Sequence, residues 1–382
     1  MSTDASTAVG SPRITTIIPT FRRPHLLRRA IRSVLNQTYK DLKVWVCDNA
    51  SGDETRHVVA SFAACDPRVS YHCHSENIGA VENINYAMRA VNTQYLSILA
   101  DDDILMPEFY AHAVSAFDNY PLAGCVCTRT LVYNSITNAL MHKTKSWRSG
   151  YYEVSIDNVV HMIDDHFATP GVVFKAEVTD ALGSLDRFGS DHVYMTRLAN
   201  AYPFVILDDS GAIFTIHASS FSRTNSGRDE TGAPGPWLID ATHYVEEWLL
   251  HFTSTVLAFQ QWNISDRVRL LNAMLSLAKH TVIRKCVLSA LQRKNDGTMG
   301  LAMDLLRPIR MPIVARAAFF LALRMLAQKG IAADLLARFA SGLVFLRSVR
   351  RRLSRVPQCD AQAIEYLESF GAGGHGASVR AC

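Results

Sequence analysis

Between residues 13 and 103 the chain alternates four times between short apolar runs and longer amphipathic stretches. The runs are Arg13 to Pro19 (RITTIIP), Leu42 to Cys47 (LKVWVC), Val69 to His74 and Tyr95 to Ala100. Their length and β-branched content are those of buried strands. In the first intervening stretch, Leu26, Leu27, Ala30, Ile31, Val34 and Leu35 fall on one helical face. Further helices are expected over Glu54 to Ala64 and Val81 to Val91. Strands joined by helical crossovers pair in parallel. The expected fold class is therefore α/β, a sheet with helices on its faces.

Open sheets of this kind bind ligands beyond the carboxyl ends of their strands. Four polar clusters fall at such ends: Pro19-Thr20, Asp48-Asn49, Asn77 to Gly79 and Asp101-Asp102-Asp103. Three adjacent carboxylates repel one another, so they settle either in solvent or around a cation. Mg²⁺ typically takes one or two carboxylates together with substrate phosphates. A solvated acidic turn is the alternative for this segment alone.

Several motifs resemble family-2 glycosyltransferases of the GT-A fold. They are Ile17-Ile18-Pro19-Thr20-Phe21, Ser33 to Tyr39 (SVLNQTY), Asp48 to Thr55 (DNASGDET), Asn77-Ile78-Gly79 and Leu99 to Asp103 (LADDD). Together they cover about residues 13 to 110. Thinner matches follow at Gly189-Ser190-Asp191-His192 and at Phe214 to Ser220 (FTIHASS). The resemblance implies a nucleotide-diphospho-sugar transferase with a Rossmann-like mixed sheet. It implies that Pro19, Thr20, Phe21, Asp48, Asn77 and Gly79 surround the nucleotide sugar, with Asp101 near the ribose. Asp102, Asp103 and His217 are the implied Mn²⁺ or Mg²⁺ ligands. Asp102 is the leading metal residue, because Ala100 replaces the first Asp of a D-x-D-D pattern. A register pairing Asp101 with Asp103 stays open. Asp191 takes the position of the base that activates the acceptor.

The chemistry calls for the same parts. A departing diphosphate accumulates negative charge, which a divalent ion neutralises as a Lewis acid. A sugar hydroxyl is a weak nucleophile and needs a positioned carboxylate, typically worth ~10²–10⁴-fold. One base opposite the leaving group implies inversion at the anomeric carbon. Each residue also has a plainer use. Asp48 or Asp191 could cap a helix, although Ser51 or Asp53 is better placed than Asp48. His217 ends an apolar run and could be a structural histidine. Gly79 suits backbone geometry. His72 and His74 share a strand face, but no further metal ligand lies near them in sequence.

The remaining chain sets domain expectations: a flexible tail over 1–12, a catalytic domain over 13–235, a helical region over 236–357 and a disordered tail over 358–382. Within the catalytic domain, 13–110 forms the nucleotide half and 111–235 the acceptor half. Trp147, Tyr151, Tyr152 and the Thr169-Pro170-Gly171 turn are candidates to line the acceptor side. Met1 to Pro12 has no apolar core of a secretory signal, and the eight cysteines show no zinc spacing. Both point to a reducing cytosol, so the Asn263-Ile264-Ser265 sequon is discounted. Leu301 to Pro357 carries eleven Lys/Arg against Asp304 and Asp334, in a chain whose formal charge is only +4. These cations interleave with Leu, Phe, Ile and Val, as in helices that lie on anionic membranes. No stretch approaches the ~18 uninterrupted apolar residues of a spanning helix. A packed bundle or an oligomer interface is the alternative use.

The expected protein is a bacterial enzyme of cell-surface polysaccharide synthesis, peripheral at the inner membrane face. Its expected partners are a nucleotide-sugar donor, a glycan or lipid-linked acceptor and an anionic membrane surface, with no nucleic acid. A polyprenyl-phosphate glycosyltransferase and a catalytically silent sugar-nucleotide scaffold are the rivals. Binding to anionic vesicles should weaken as salt rises and again when Arg350, Arg351 and Arg352 become Ser, each cation near the surface contributing ~1 kcal/mol. Co-sedimentation tests this, and wild-type protein left in the supernatant at low salt would discard the membrane reading.

Overall fold

The computed structural model describes residues 12–142, 146–185, 191–217, 255, 258–273, 360–371 and 380–381. The chain divides into two compact units. The first comprises 1–227, 259–262 and 358–382, and the second 228–258 and 263–357.

In the first unit, β1 (Ile14–Thr20), β2 (Leu42–Asp48), β3 (Val69–Cys73) and β4 (Tyr95–Ile98) are the four expected strands, within a residue or two. They alternate with α1 (Pro24–Leu35), α2 (Thr55–Ala63) and α3 (Ala80–Ala90). All four pair in parallel, in the order β4-β1-β2-β3. Their ligand-facing ends therefore share one edge. Ile14, Ile17, Ile18, Val44 and Val46 are fully buried, which explains why these strands read as continuous apolar runs.

The sheet then becomes mixed. Beyond β5 (Ile104–Leu105) and α4 (Phe109–Asn119) come β6 (Cys125–Asn134), β7 (Ala139–His142) and β8 (Gly150–Tyr152). Next are α5 (Ile156–Asp164), a 3-10 turn at Thr169–Gly171, β9 (Val172–Lys175), α6 (Ala176–Leu182), α7 (Asp191–Ala201) and β10 (Phe204–Ile216). β9 runs antiparallel between β4 and β6, while β10 runs parallel to β6 and antiparallel to β5 and β8. The proposed acceptor-lining aromatics serve packing in this half. Trp147 is 3% exposed, stacks on His161 and meets Phe204 edge-on. Tyr152 stacks on Phe204, and Tyr151 on Tyr120.

One join governs the edge where the polar clusters lie. β5 directly follows the three aspartates and is clamped from two sides. From α1, Ser33 Oγ accepts the Leu105 N–H at 3.1 Å. Gln37, fully buried just past that helix, donates to the Met106 carbonyl at 2.7 Å and accepts the Tyr110 N–H at 3.1 Å. From the other side, Met106 N–H donates to the Gly211 carbonyl of β10. Gly211 must lack a side chain, because a Cβ there would lie 2.6 Å from the Phe109 ring.

Residues 360–371 and 380–381 depart from expectation. Instead of a disordered tail, α8 (Asp360–Glu368) packs Ala363, Leu367 and Phe370 against Ile104, Leu131, Leu140 and Ile213. β11 (Arg380–Ala381) pairs parallel with β7. The local composition is polar and Gly-rich, but the open face of β5, β6, β7 and β10 supplies a hydrophobic partner. That partner is more than 100 residues away in sequence, so local reading misses it.

Of the second unit, only 255, 258 and 263–273 are described. Residues 264–273 are helical. Asn263 caps that helix: its Oδ1 accepts the Asp266 N–H at 2.9 Å and its Nδ2 donates to the Asp266 carboxylate. The sequon asparagine thus has a structural use. The basic region 301–357 lies outside the described residues.

Replacing Gln37 with Leu should remove its side-chain contacts to Met106 and Tyr110 while keeping apolar volume. The Met106 carbonyl keeps the Phe109 N–H, but the buried Tyr110 N–H loses its partner, at ~1–3 kcal/mol. Urea unfolding should show a loss of roughly 1–3 kcal/mol. An unchanged midpoint would show that the clamp contributes nothing to stability.

Candidate active site

Thr20 ends β1, and its hydroxyl donates to Asp101 Oδ2 at 2.7 Å. The chain then turns sharply through Arg22, which sits at φ +54°, a strained conformation for a side-chain-bearing residue. Ser51, from the loop after β2, holds that turn: its hydroxyl accepts the Arg22 N–H at 2.8 Å and its carbonyl accepts Arg22 Nε. The turn delivers Arg23 to the start of α1, where Pro24 fixes the first helical residue.

Arg23 lies among the carboxylates. Its Nη2 is 2.6 Å from Asp101 Oδ1, its Nε 3.2 Å from Asp101 Oδ2 and its Nη1 3.0 Å from Asp102 Oδ2. Asp101 and Asp103 are buried, and Asp102 is 9% exposed. The solvated acidic turn is therefore excluded. A guanidinium from this chain supplies part of the compensating charge.

The three carboxylates have different surroundings. Burial pushes Asp101 up to about 6, against the pull of Arg23 and Thr20. Burial also acts upward on Asp102, but the His217 hydrogen bond and the Arg23 charge outweigh it and hold that group below the ordinary range. Asp103 is raised well above its usual value by burial and by Asp102 beside it. Asp103 Oδ1 accepts the Thr215 N–H at 2.8 Å, which ties the acidic turn to the end of β10. Two residues on, His217 Nε2 lies 3.0 Å from Asp102 Oδ2. Residues 115 positions apart thus meet.

The second polar group stands over β2 and β3. The Asp48 carboxylate is turned into the protein. Its Oδ1 accepts from the Ser51 N–H and hydroxyl, and its Oδ2 from the Tyr71 hydroxyl at 2.6 Å. Asp48 therefore builds the loop and does not cap α2, whose first N–H, at Thr55, is met by Asp53. Asn49 bridges outward: its Nδ2 donates to Asn77 Oδ1 at 2.8 Å, and its Oδ1 accepts the Ile78 N–H. Asn77 Oδ1 also accepts the Gly79 N–H. Gly79 stands at φ +88°, which explains the glycine. His72 stacks on Tyr86, and His74 faces Asn83 Oδ1 at 3.0 Å, so both imidazoles have packing and hydrogen-bonding uses.

Thr20, Asp101, Asp102, Asp103, Arg23 and His217 thus form one connected cluster. Asp48, Asn49, Asn77 and Gly79 form a neighbouring one, linked through the Asn49 N–H to the Thr20 carbonyl. Pro19 lies within β1, paired with Cys47, and Phe21 carries the Arg22 guanidinium over its ring at 5.0 Å. Asp191 is the first residue of α7, with Oδ1 3.4 Å from His166 Nε2. Arg23, Tyr71 and His166 were not singled out in the sequence. For Arg23 a signal existed, since three carboxylates at a strand end require a nearby cation and two arginines follow the first strand.

The donor set suits a hard divalent ion. Asp102 keeps some surface, His217 adjoins it, and Asp103 Oδ2 is buried without a hydrogen-bond partner. Among the described residues no three His, Cys, Asp or Glu side chains form a closed metal cage. Mg²⁺ and Mn²⁺ sites of one or two carboxylates, completed by substrate phosphates, need no such cage.

The architecture, a parallel nucleotide-binding half continued by a mixed sheet, is the GT-A fold. Staphylococcus aureus TarS 1–349 in complex with UDP-GlcNAc superposes with a TM-score of 0.55 at 14% identity, covering 78% of this chain and 85% of that one. Residues 15–183 match the model of glycosyl transferase family 2, and this segment is a family-2 glycosyltransferase domain. The Campylobacter jejuni GalNAc(5)-diNAcBac-PP-undecaprenol beta-1,3-glucosyltransferase is 35% identical over 96 residues, 25% of this chain and 31% of that protein. Chondroitin synthase of Escherichia coli is 30% identical over 125 residues, 33% of this chain and 18% of that protein. The aligned part spans a third or less of these curated relatives.

Arg23→Met should strip two buried carboxylates of their cation. The expected loss is roughly 3 kcal/mol, the low end for a broken buried pair, because Arg23 keeps a quarter of its surface. A carboxyl with a raised pKa contributes stability below its unfolded value and loses it as pH rises through the folded value. Removing the cation raises Asp101 above about 6. The deficit should therefore shrink as pH falls from about 8 to about 5, where the carboxyl is protonated. Urea unfolding across that range checks this. A deficit that grows on acidification would reverse the argument.

Proposed function

We propose that this protein is an inverting, metal-assisted glycosyltransferase. It moves a sugar from a nucleotide-diphospho-sugar to a hydroxyl of a glycan or lipid-linked acceptor in polysaccharide synthesis. The observation that carries the reading is the cluster of Asp101, Asp102, Arg23 and His217 at the carboxyl end of β4, in a family-2 domain. The C. jejuni relative, whose name specifies an undecaprenol-linked substrate, supports a lipid-linked acceptor.

In this reading the base lies against the loops of Asp48-Asn49 and Asn77 to Gly79, with Pro19, Thr20 and Phe21 along the nucleotide. Asp48 acts through the loop that it fixes. Asp101, oriented by Thr20 and Arg23, faces the ribose. Asp102 and His217, with the neighbouring Asp103, would hold Mn²⁺ or Mg²⁺, and the ion would supply charge neutralisation at the diphosphate. Asp103 anchors β10, which keeps His217 beside Asp102. Asp191 takes the proton from the acceptor hydroxyl as that oxygen bonds to the anomeric carbon. The nucleoside diphosphate leaves from the opposite face, which gives inversion.

No helix among the described residues is long and apolar enough to cross a membrane. Placement on the inner membrane face rests on the basic 301–357 sequence and the lipid-linked relative.

Thermal stabilisation by a panel of UDP- and GDP-sugars, with Mn²⁺, Mg²⁺ or EDTA, identifies the donor by mass action. Stabilisation should require the metal. Asp102→Asn should abolish it and lower turnover by roughly 10²-fold or more, as expected for lost charge neutralisation. Full activity in EDTA, or an active Asp102→Asn protein, would falsify the metal assignment. Asp191→Asn should lose turnover with donor affinity unchanged, because a base acts mainly in the transition state. If it turns over normally, the nucleophile is one that needs no base, such as a lipid phosphate.

A further inference from the structure

His166 lies in the short connection between α5 and the 3-10 turn, outside every motif noted in the sequence. Its backbone neighbours are pinned. The Asp165 carbonyl accepts the Trp147 indole N–H at 2.8 Å, and the Asp165 carboxylate accepts both the N–H and the hydroxyl of Ser146. The imidazole is fixed as well. It stacks on His192, with centroids 4.1 Å apart and planes 13° from parallel. His192 is itself buried, and its Nε2 donates to the Ile163 carbonyl near the end of α5 at 2.5 Å. A ring held by stacking on a hydrogen-bonded partner has little rotational freedom. Its Nε2 then points at Asp191 Oδ1, 3.4 Å away.

His166 therefore touches two successive residues of α7 in different ways, stacking on one and facing the carboxylate of the other. Packing α5 against α7 needs only the stacking. The edge contact to a carboxylate adds something else, because it selects one orientation of a side chain that is one-third exposed. We infer that His166 is a positioning residue for Asp191, holding its carboxylate in the orientation that receives the acceptor proton. This rests on the reading of Asp191 as the base. Among the described residues, the charged and titratable groups around the imidazole are Asp191 and His192 on α7 and Asp165 beside it in the chain. Asp165 is engaged by Ser146, so Asp191 is the carboxylate that the His166 ring addresses.

Two substitutions separate positioning from packing. His166→Phe keeps a ring against His192 and removes the ring nitrogen, whereas His166→Gln restores an N–H donor without the ring. The probe is whichever nucleotide sugar of the panel is turned over. With His166→Phe, kcat should fall about 10- to 100-fold, part of the ~10²–10⁴ that a general base supplies, while donor KM stays within about twofold. His166→Gln should regain much of that loss. In an Asp191→Asn background, His166→Phe should change kcat by less than about twofold, because a residue acting through Asp191 has nothing left to position. Wild-type kcat in His166→Phe, or a full additional loss in the double variant, overturns the inference while Asp191 stands. Wild-type turnover in Asp191→Asn instead removes the base reading, and this inference with it. If His166→Phe does not fold, a His166→Gln enzyme with kcat below one-tenth of wild type and unchanged stability also counts against the idea, since the donor would then be insufficient.

Discussion

Buried carboxylates are the constraint around which this domain is arranged. Taking even one ionised carboxylate out of water is expensive, and here three follow one another in the chain. Arg23 offsets part of that cost through a fork onto Asp101 and a further contact to Asp102. Its position depends on an unusual backbone. Arg22 adopts a left-handed conformation, Ser51 holds it, and Asp48 holds Ser51. The polar loop after β2 therefore supports the cation that the acids after β4 require. Neither cluster is independent of the other.

The second requirement is to bring distant chain to the same place. Asp103 does so through one backbone hydrogen bond to Thr215, and Ser33 and Gln37 do so from α1. These three polar residues are buried and hold the strand that leaves the acidic turn. Their hydrogen bonds are directional, which apolar packing is not, so they fix register where a hydrophobic contact would leave it free. β10 consequently ends with His217 beside Asp102. Gly211 allows β10 to approach Thr128 of β6 and Phe109 of α4 closely. α8 covers the opposite side of the same strands with Ala363, Leu367 and Phe370, so residues far beyond the family-matched segment complete the core beneath the site.

By itself the sequence determined the parallel half of the sheet, since four apolar runs separated by amphipathic helices have few other ways to bury themselves. It determined that four polar clusters share an edge, because parallel strands end together. It also marked the acidic run and the asparagine and glycine turns as candidate site residues, through local chemistry alone. Tertiary structure decided the rest. That the acids are buried, and that Arg23 lies between them, depends on a turn conformation invisible in composition. That Gln37 and Ser33 clamp β5 depends on which face of α1 meets it. That Trp147 and Tyr152 pack on Phe204 and Tyr151 on Tyr120, that residues 360–368 form a helix on the core, and that His166 faces Asp191 all depend on contacts across long sequence separations. Local periodicity reports how a segment is half-buried. It carries no information about which distant segment buries it, and the site is made of such pairs.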